Sequence, residues 1–191
     1  MINTEHTKPC TAFEGSSIIA SGDLTWVVAA TKAVVDRGTS EPVLIFDDAT
    51  SDLIEIDFRG TLDEVMQRLP GNQPEPPRGR GRPRLGVIAR EVTLLPRHWD
   101  WLNAQPGGAS VALRKLVQKA STAHEDKDRV RKAQEVCYKF MSAMAGDLPG
   151  FEEAARALFG GNSERFEKCI EAWPAGIRDH TRKLTLPAFL I

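Results

Sequence analysis

A segment rich in proline, glycine and arginine divides the 191-residue chain and constrains its fold more than any other feature. Residues 70–86 hold five of the twelve prolines and four of the fifteen glycines. Proline lacks the N–H that helices and sheets require, and glycine weakens both elements. The arginines of the segment also repel one another, which favours an extended linker. The sequence therefore predicts a domain at 1–69, a linker at 70–86 and a second domain at 87–191.

The first domain has the pattern of a small α+β unit. Alternating apolar and polar residues indicate strands, and apolar residues three or four apart indicate helices. The predicted elements are strands at 11–13 and 17–20, a helix from Asp23 to Gly38, strands at 43–46 and 53–58, and a helix that a Thr61–Glu64 capping box begins and Pro70 ends. Their order is β-β-α-β-β-α.

The second domain begins with one strand-length segment, 87–95, and continues with helices only. The predicted helices are a short one around Trp99 and Leu102, one that Ser110 caps and that extends to about Ala120, and others at about 128–145, 151–159, 164–173 and 175–184. Helical spacing favours the core for Trp99 and Trp101. The alternatives are a half-exposed Trp101 and stacking of both rings on single-stranded nucleic acid. The whole chain is predicted to be α+β, with a mainly helical C-terminal half.

Composition narrows the class of protein. Hydrophobic residues make up 41% of the chain and charged residues 27%, which is typical of a globular protein and excludes general disorder. No apolar run is long enough for a transmembrane helix, and residues 1–10 lack the pattern of a secretory signal. Three scattered cysteines predict reduced thiols. A cytoplasmic protein is expected.

The net charge of −1 conceals a strong asymmetry along the chain. Residues 1–77 carry 13 acidic against 5 basic side chains, residues 78–119 carry 2 against 9, and residues 120–191 carry 11 of each. Such a distribution indicates either an anionic partner for the basic segment or contact between the acidic and basic parts of the chain.

The most specific motif lies in the linker and resembles an AT-hook. Its core, Arg-Gly-Arg-Pro, spans residues 80–83, and further arginines stand at 78 and 84. Glycine and proline keep the chain thin and extended, so that arginines can reach the floor of a narrow A·T minor groove. The candidate minor-groove residues are Arg78, Arg80, Gly81, Arg82, Pro83 and Arg84. A basic linker that serves only as a flexible spacer is the alternative.

Residues 90–117 resemble a ribbon-helix-helix, with a strand, a helix that begins at proline, a glycine turn and a helix that begins at serine. In that family two strands of a dimer lie in the major groove, and the second helix holds a phosphate at its N-terminus. Neither face of this strand carries good base-reading side chains, which argues against sequence-specific readout, whereas dimerisation through the strand is still expected. The candidate phosphate contacts are Arg90, Arg97, Arg114 and Lys115. The alternative is a strand and two helices that only build a core.

No pattern in the sequence points to catalysis or to a cofactor. The acidic cluster at Asp47, Asp48, Asp52, Glu55 and Asp57 could hold magnesium, but an Asp-rich hairpin turn is the commoner explanation. The four histidines lie far apart in sequence, and no phosphate-binding glycine loop is present. We therefore expect neither an enzyme nor a metal site, and no small-molecule substrate is evident.

Several stretches resemble a bacterial family described as domain of unknown function 2239. They are GRPRLGVIAREVTLLPRHWDWL at 81–102, PGGASVAL at 106–113, FMSAMAGD at 140–147, FEEAARAL at 151–158, FDDAT at 46–50 and DFRG at 57–60. The resemblance spans nearly the whole chain. It implies a bacterial cytoplasmic protein and brings no activity with it.

These observations favour a small DNA-binding protein of the nucleoid or of gene regulation. The expected partners are A·T-rich duplex DNA and a second copy of the chain, without any membrane. The alternative, from another functional class, is a protein-interaction adaptor whose acidic unit is the docking surface and whose linker is a spacer. A pure spacer would not need four arginines at alternate positions, which favours DNA.

Overall fold

The computed structural model describes residues 9–69, 88 and 90–189, and the fold is the mixed α+β class that the sequence predicts. In chain order the elements are β1 (Cys10–Glu14), β2 (Ser17–Gly22), α1 (Leu24–Arg37), β3 (Val43–Asp47), α2 (Leu62–Arg68), α3 (Pro96–Asn103), α4 (Gly108–Met144), α5 (Phe151–Phe159), α6 (Ser163–Ile170), α7 (Ala175–Thr185) and a 3-10 turn (Leu186–Ala188). None of the helices in this described part is long and apolar enough to cross a membrane.

A three-stranded antiparallel sheet, in the order β2-β1-β3, separates two hydrophobic cores. Successive side chains of a strand point to opposite faces. Cys10 and Ala12 of β1 therefore pack in the core that contains α1 and α2, whereas Phe13 packs in the core that contains α4 to α7. In β3, Ile45 packs in the core that contains α1 and α2, and Phe46 packs in the core that contains α4 to α7. Both faces of the sheet are thus covered by helices.

The starts of α1 and α2 confirm the predicted caps. The Asp23 carboxylate accepts a hydrogen bond from the Trp26 backbone N–H at 3.0 Å. Thr61 and Glu64 form a complete capping box, in which each side chain accepts from the other residue's backbone N–H. Such side chains satisfy N–H groups that the first helical turn leaves without partners.

Residues 53–58 do not form the predicted fourth strand. Leu53 makes a single bridge to Phe46, and the Ile54 backbone N–H donates to the Ile45 carbonyl oxygen at 2.8 Å. Residues 55–58 continue as an extended segment outside the sheet. Burial still alternates, because Ile54, Ile56 and Phe58 pack against the core beside α1 and α2. The alternation of apolar and polar residues indicates an extended segment with one buried face. Such a segment can bury that face without pairing with a neighbouring strand.

The chain forms two compact units whose limits differ from the predicted domains. Of the described residues, unit 1 contains 9–69 and 129–189, and unit 2 contains 88 and 90–128. Unit 1 combines the sheet with the C-terminal helices around Phe13, Phe46 and Phe140, whose ring centroids lie 5.2–6.0 Å apart. The physical reason is that the face of the sheet bearing Phe13 and Phe46 needs an apolar cover, which α4 to α7 provide.

A close approach of backbones shows how tightly α7 packs on the β1–β2 hairpin. A Cβ atom at Gly176 would lie 2.4 Å from the Ser16 carbonyl oxygen, which is inside van der Waals contact. Glycine at this position therefore lets the first turn of α7 reach the hairpin.

α4 is one helix of 37 residues, where the sequence predicted two separate helices. Residues 109–145 contain neither glycine nor proline, so nothing in the chain interrupts the hydrogen-bond ladder. A break near 120–128 is predicted because the apolar residues lose their helical spacing there. Residues 114–129 are all exposed, and the helix continues there without a buried face.

The predicted strand at 87–95 is not a strand in the structure. Its described residues, 88 and 90–95, belong to no sheet and lead directly into α3, which begins at Pro96. A strand requires a neighbour for its backbone N–H and C=O groups. The ribbon-helix-helix hypothesis assigns that neighbour to a second copy, which a single chain does not contain.

Candidate functional site

The AT-hook-like residues lie outside the described part of the chain. They are Arg78, Arg80, Gly81, Arg82, Pro83 and Arg84. Their role in DNA binding remains a prediction.

The other four predicted contact residues all lie in unit 2 and are exposed. Arg90 precedes α3, Arg97 is in its first turn, and Arg114 and Lys115 are on the early part of α4. Arg114 donates from Nε to the Ser110 carbonyl oxygen at 3.1 Å. Within the described residues none of the four forms an ion pair. Unit 2 therefore presents basic side chains that an anionic partner can reach.

Unit 2 also exposes an unusual number of large apolar side chains. Those more than two-fifths exposed are Ile88, Val92, Leu95, Trp101, Leu116 and Val117. Trp101 is 53% exposed, so the prediction that it belongs to the core is wrong; Trp99 is partly buried. Among the described residues of the unit, Leu102 and Ala112 are the buried apolar ones. So small a core leaves much apolar surface in water.

In unit 1, Asp48 gathers polar side chains from two strands and a helix. Thr11 of β1 donates its hydroxyl to Asp48 Oδ1 at 2.8 Å, and Lys183 of α7 donates from Nζ to Oδ2 at 2.6 Å. Ser21 of β2 completes the cluster, with its hydroxyl 2.9 Å from that of Thr11 and 3.2 Å from Lys183 Nζ. Only 6% of the Asp48 side chain is exposed. The Lys183 ammonium and the Thr11 hydroxyl stabilise this buried carboxylate.

His180 lies beneath this cluster, packed between aromatic rings. Its ring is 4.6 Å from Phe140 and 5.4 Å from Phe13, measured between centroids. His180 Nε2 is buried, lies 3.8 Å from Asp48 Oδ1 and has no hydrogen-bond partner in the structure as described. Burial lowers the pKa of His180 to about 4, although Asp48 opposes the shift. The imidazole is therefore neutral at pH 7.

A cleft of about 270 Å³ opens beside Asp48 in unit 1. Its basic side chains are Arg129 and Lys132 of α4 and Lys183 of α7. Its apolar surface comes from α4, the end of α7 and the following turn, and includes Val136, Leu184 and Pro187. The cleft thus combines positive charge with an apolar floor.

No local sequence pattern indicates the cluster around Asp48. The favoured interpretation of the acidic residues as a turn is correct for Asp47, whose Oδ1 accepts from the Ala49 backbone N–H at 2.8 Å. The neighbouring Asp48 points instead into the cluster with Lys183 and His180, which are more than 130 positions away in sequence. No local spacing could signal this contact, because the fold alone brings α7 to the end of β3.

The three cysteines are free, as the sequence predicts, and two are buried. Burial raises the pKa of Cys10 to about 11 and that of Cys137 to about 12. Both thiols are therefore protonated at neutral pH. A nucleophilic cysteine reacts as the thiolate, so neither thiol is activated for catalysis.

Comparison with known protein families supports the resemblance found in the sequence. A family model described as an uncharacterised protein conserved in bacteria, domain of unknown function 2239, matches residues 9–185. Neither curated proteins nor solved structures give a significant match. The match to the family model spans both compact units, and the chain therefore belongs to this bacterial family.

Proposed function

We propose that this protein binds DNA as a nucleoid-associated or regulatory factor. The observation that carries the proposal is the group of exposed basic residues in unit 2, Arg90, Arg97, Arg114 and Lys115, which have no ion-pair partner within the described residues. They follow the arginine-rich segment in the chain, so one stretch of sequence holds both sets of cations. Such cations replace counterions on the phosphate backbone and give salt-dependent affinity.

In this proposal the two sets of cations have different tasks. The arginines of segment 78–84 enter the minor groove of A·T-rich DNA, where the narrow groove concentrates negative potential. The cations of unit 2 contact phosphates, which position the protein without reading sequence. The protein would therefore prefer A·T-rich duplexes without recognising a defined site.

The first prediction concerns the arginine segment. Replacing both Arg80 and Arg82 with alanine should weaken binding to an A·T-rich duplex about tenfold or more. The loss on a G·C-rich duplex should be several-fold smaller, because its wider minor groove has a weaker negative potential for these arginines to contact. Electrophoretic shifts at two salt concentrations measure both affinities. The double variant R156A/K168A, which removes two exposed cations of unit 1, is the matched control and should have little effect. Equal losses on both duplexes would contradict the minor-groove assignment.

A protein-interaction adaptor is the second candidate function, and the exposed apolar residues of unit 2 favour it. The two candidates differ in what covers this surface. DNA binding in the manner of a ribbon-helix-helix uses the apolar residues to join two copies, whereas an adaptor offers them to another protein. The oligomeric state and the affinity for DNA therefore separate the candidates.

The second prediction is that the chain forms a homodimer through unit 2. At micromolar concentration, light scattering should give the mass of two chains, since a second copy would bury Trp101 and Val117. Val117→Glu should yield the monomer, because it places a charge within the apolar contact. Leu186→Glu is the matched control: Leu186 is 66% exposed, close to the 65% of Val117, but belongs to unit 1. A monomeric wild-type protein, or equal dissociation by both variants, would refute dimerisation through unit 2.

A further inference from the structure

The cleft beside Asp48 has the features of a binding site. The proposed DNA binding does not involve this cleft. We propose that it binds a small organic anion, with the acidic group of the ligand beside Lys132 and Arg129 and its apolar body against Val136 and Leu184. All of these residues lie in unit 1, so the site does not depend on unit 2.

The charges of the lining favour an anion. The lining contains three basic side chains and one carboxylate, that of Asp48, and the Lys132 side chain is exposed. Asp48 presents little negative surface to the cleft, because 94% of its side chain is covered and its two oxygens accept from Thr11 and Lys183. A cleft with low-dielectric walls and an excess of one charge concentrates the opposite ion.

The shape and the remaining lining select the size of the ligand. A volume of about 270 Å³ is slightly below the usual range for small-molecule sites, roughly 300–1,000 Å³. It suits an acid whose body is one aromatic ring or a short aliphatic chain. Ala133, Val136, Leu184 and Pro187 would remove that body from water, which favours binding.

The anionic group can be a carboxylate or a phosphate, since Lys and Arg bind both. What the lining requires is a negative charge joined to an apolar body. A simple inorganic anion leaves the apolar floor wet, and a neutral alcohol brings no negative charge to the basic side chains of the lining. These two classes of molecule are therefore expected to bind weakly.

The test uses the full chain and four probes of similar size or charge: benzoate, phenyl phosphate, benzyl alcohol and inorganic phosphate. Amide signals in a two-dimensional NMR titration should shift saturably with benzoate or phenyl phosphate, and the shifts should cluster at Asp48, Ala49, Lys132–Val136 and Leu184. Whichever of the two acids binds more tightly identifies the anionic group. The alcohol and inorganic phosphate should each bind at least about tenfold more weakly.

A charge-reversal pair shows whether the cleft itself is responsible. Lys132→Glu should weaken the better acid about tenfold, because it replaces an attractive cation by a repulsive anion. Lys168→Glu makes the same change in net charge on an exposed residue of α6 and should change affinity less than twofold. Both side chains are exposed, so both variants should fold. The proposal is overturned if no cleft signal saturates at millimolar acid, if the alcohol or inorganic phosphate binds as tightly, or if the two variants weaken binding equally.

Discussion

Replacing Phe140 with alanine is expected to lower the free energy of unfolding by about 3–5 kcal/mol. The Phe140 ring is fully buried and contacts Phe13 of β1, Phe46 of β3 and His180 of α7. Its loss would leave a cavity where the sheet meets the C-terminal helices, and these rigid elements cannot collapse to fill it. Urea unfolding followed by circular dichroism measures the effect.

Phe159→Ala is the matched control for this substitution. The Phe159 side chain is 52% exposed and contacts Tyr138 at the surface of unit 1, so its loss should cost roughly 1 kcal/mol. If Phe140→Ala were no more damaging than this control, the shared core of the sheet and the C-terminal helices would be contradicted.

The same core determines which fragments can be used to study DNA binding. A fragment that begins at Arg78 lacks Phe13 and Phe46, which pack on Phe140 in the intact protein. Its C-terminal helices would expose the surface that the sheet covers. A change in DNA affinity of such a fragment would report unfolding as well as the loss of acidic residues. Substitutions in the full chain are therefore the appropriate test of whether the acidic N-terminal residues contact the basic segment 78–119.

Acidification is expected to destabilise unit 1 through His180. Burial holds the pKa of His180 at about 4 in the folded protein, against an ordinary value of 6.5 in the unfolded chain. Between these values the unfolded state binds more protons, so stability falls as the pH falls from 6.5 to 4. The shift corresponds to a loss of up to about 3 kcal/mol. The charged groups that face the ring are Asp48, after β3, and Lys183, on its own helix.

Chemical unfolding of the wild-type protein and of His180→Gln at pH 7, 5.5 and 4.5 isolates this contribution. Glutamine does not titrate, so the variant should show a flatter dependence of stability on pH than the wild-type protein. His98→Gln is the control, because His98 is an exposed histidine of unit 2 and its replacement should leave the dependence unchanged. An identical pH dependence for His180→Gln and the wild-type protein would contradict the buried, neutral state of this imidazole.

Local features of the fold could be predicted from the sequence because local physics controls them. Asp23 and the Thr61–Glu64 pair cap their helices with side chains that lie within a few residues of the N–H groups they satisfy. The limits of α3 and α5 follow from proline and glycine in the chain itself. The fold class and the family rest on such local patterns.

Longer-range features could not be predicted in the same way. The alternation at 53–58 is a property of its side chains, but a strand also needs a backbone neighbour, and β3 pairs with this segment at only one bridge. The weak periodicity at 120–128 indicated a break, although the chain contains no residue that would break the helix. In both cases the sequence pattern indicates which side chains are buried. The backbone conformation depends on hydrogen-bond partners that the pattern does not reveal.

The sequence by itself determined the α+β class, the helix caps, the clustering of basic residues in segment 78–119 and the membership of the bacterial family. Only the tertiary structure decided that the C-terminal helices cover the sheet, and that Asp48, His180 and Lys183 meet beside a basic cleft. The reason is that a sequence pattern shows which side chains must leave water, whereas their partners are set by the packing of elements that lie far apart in the chain.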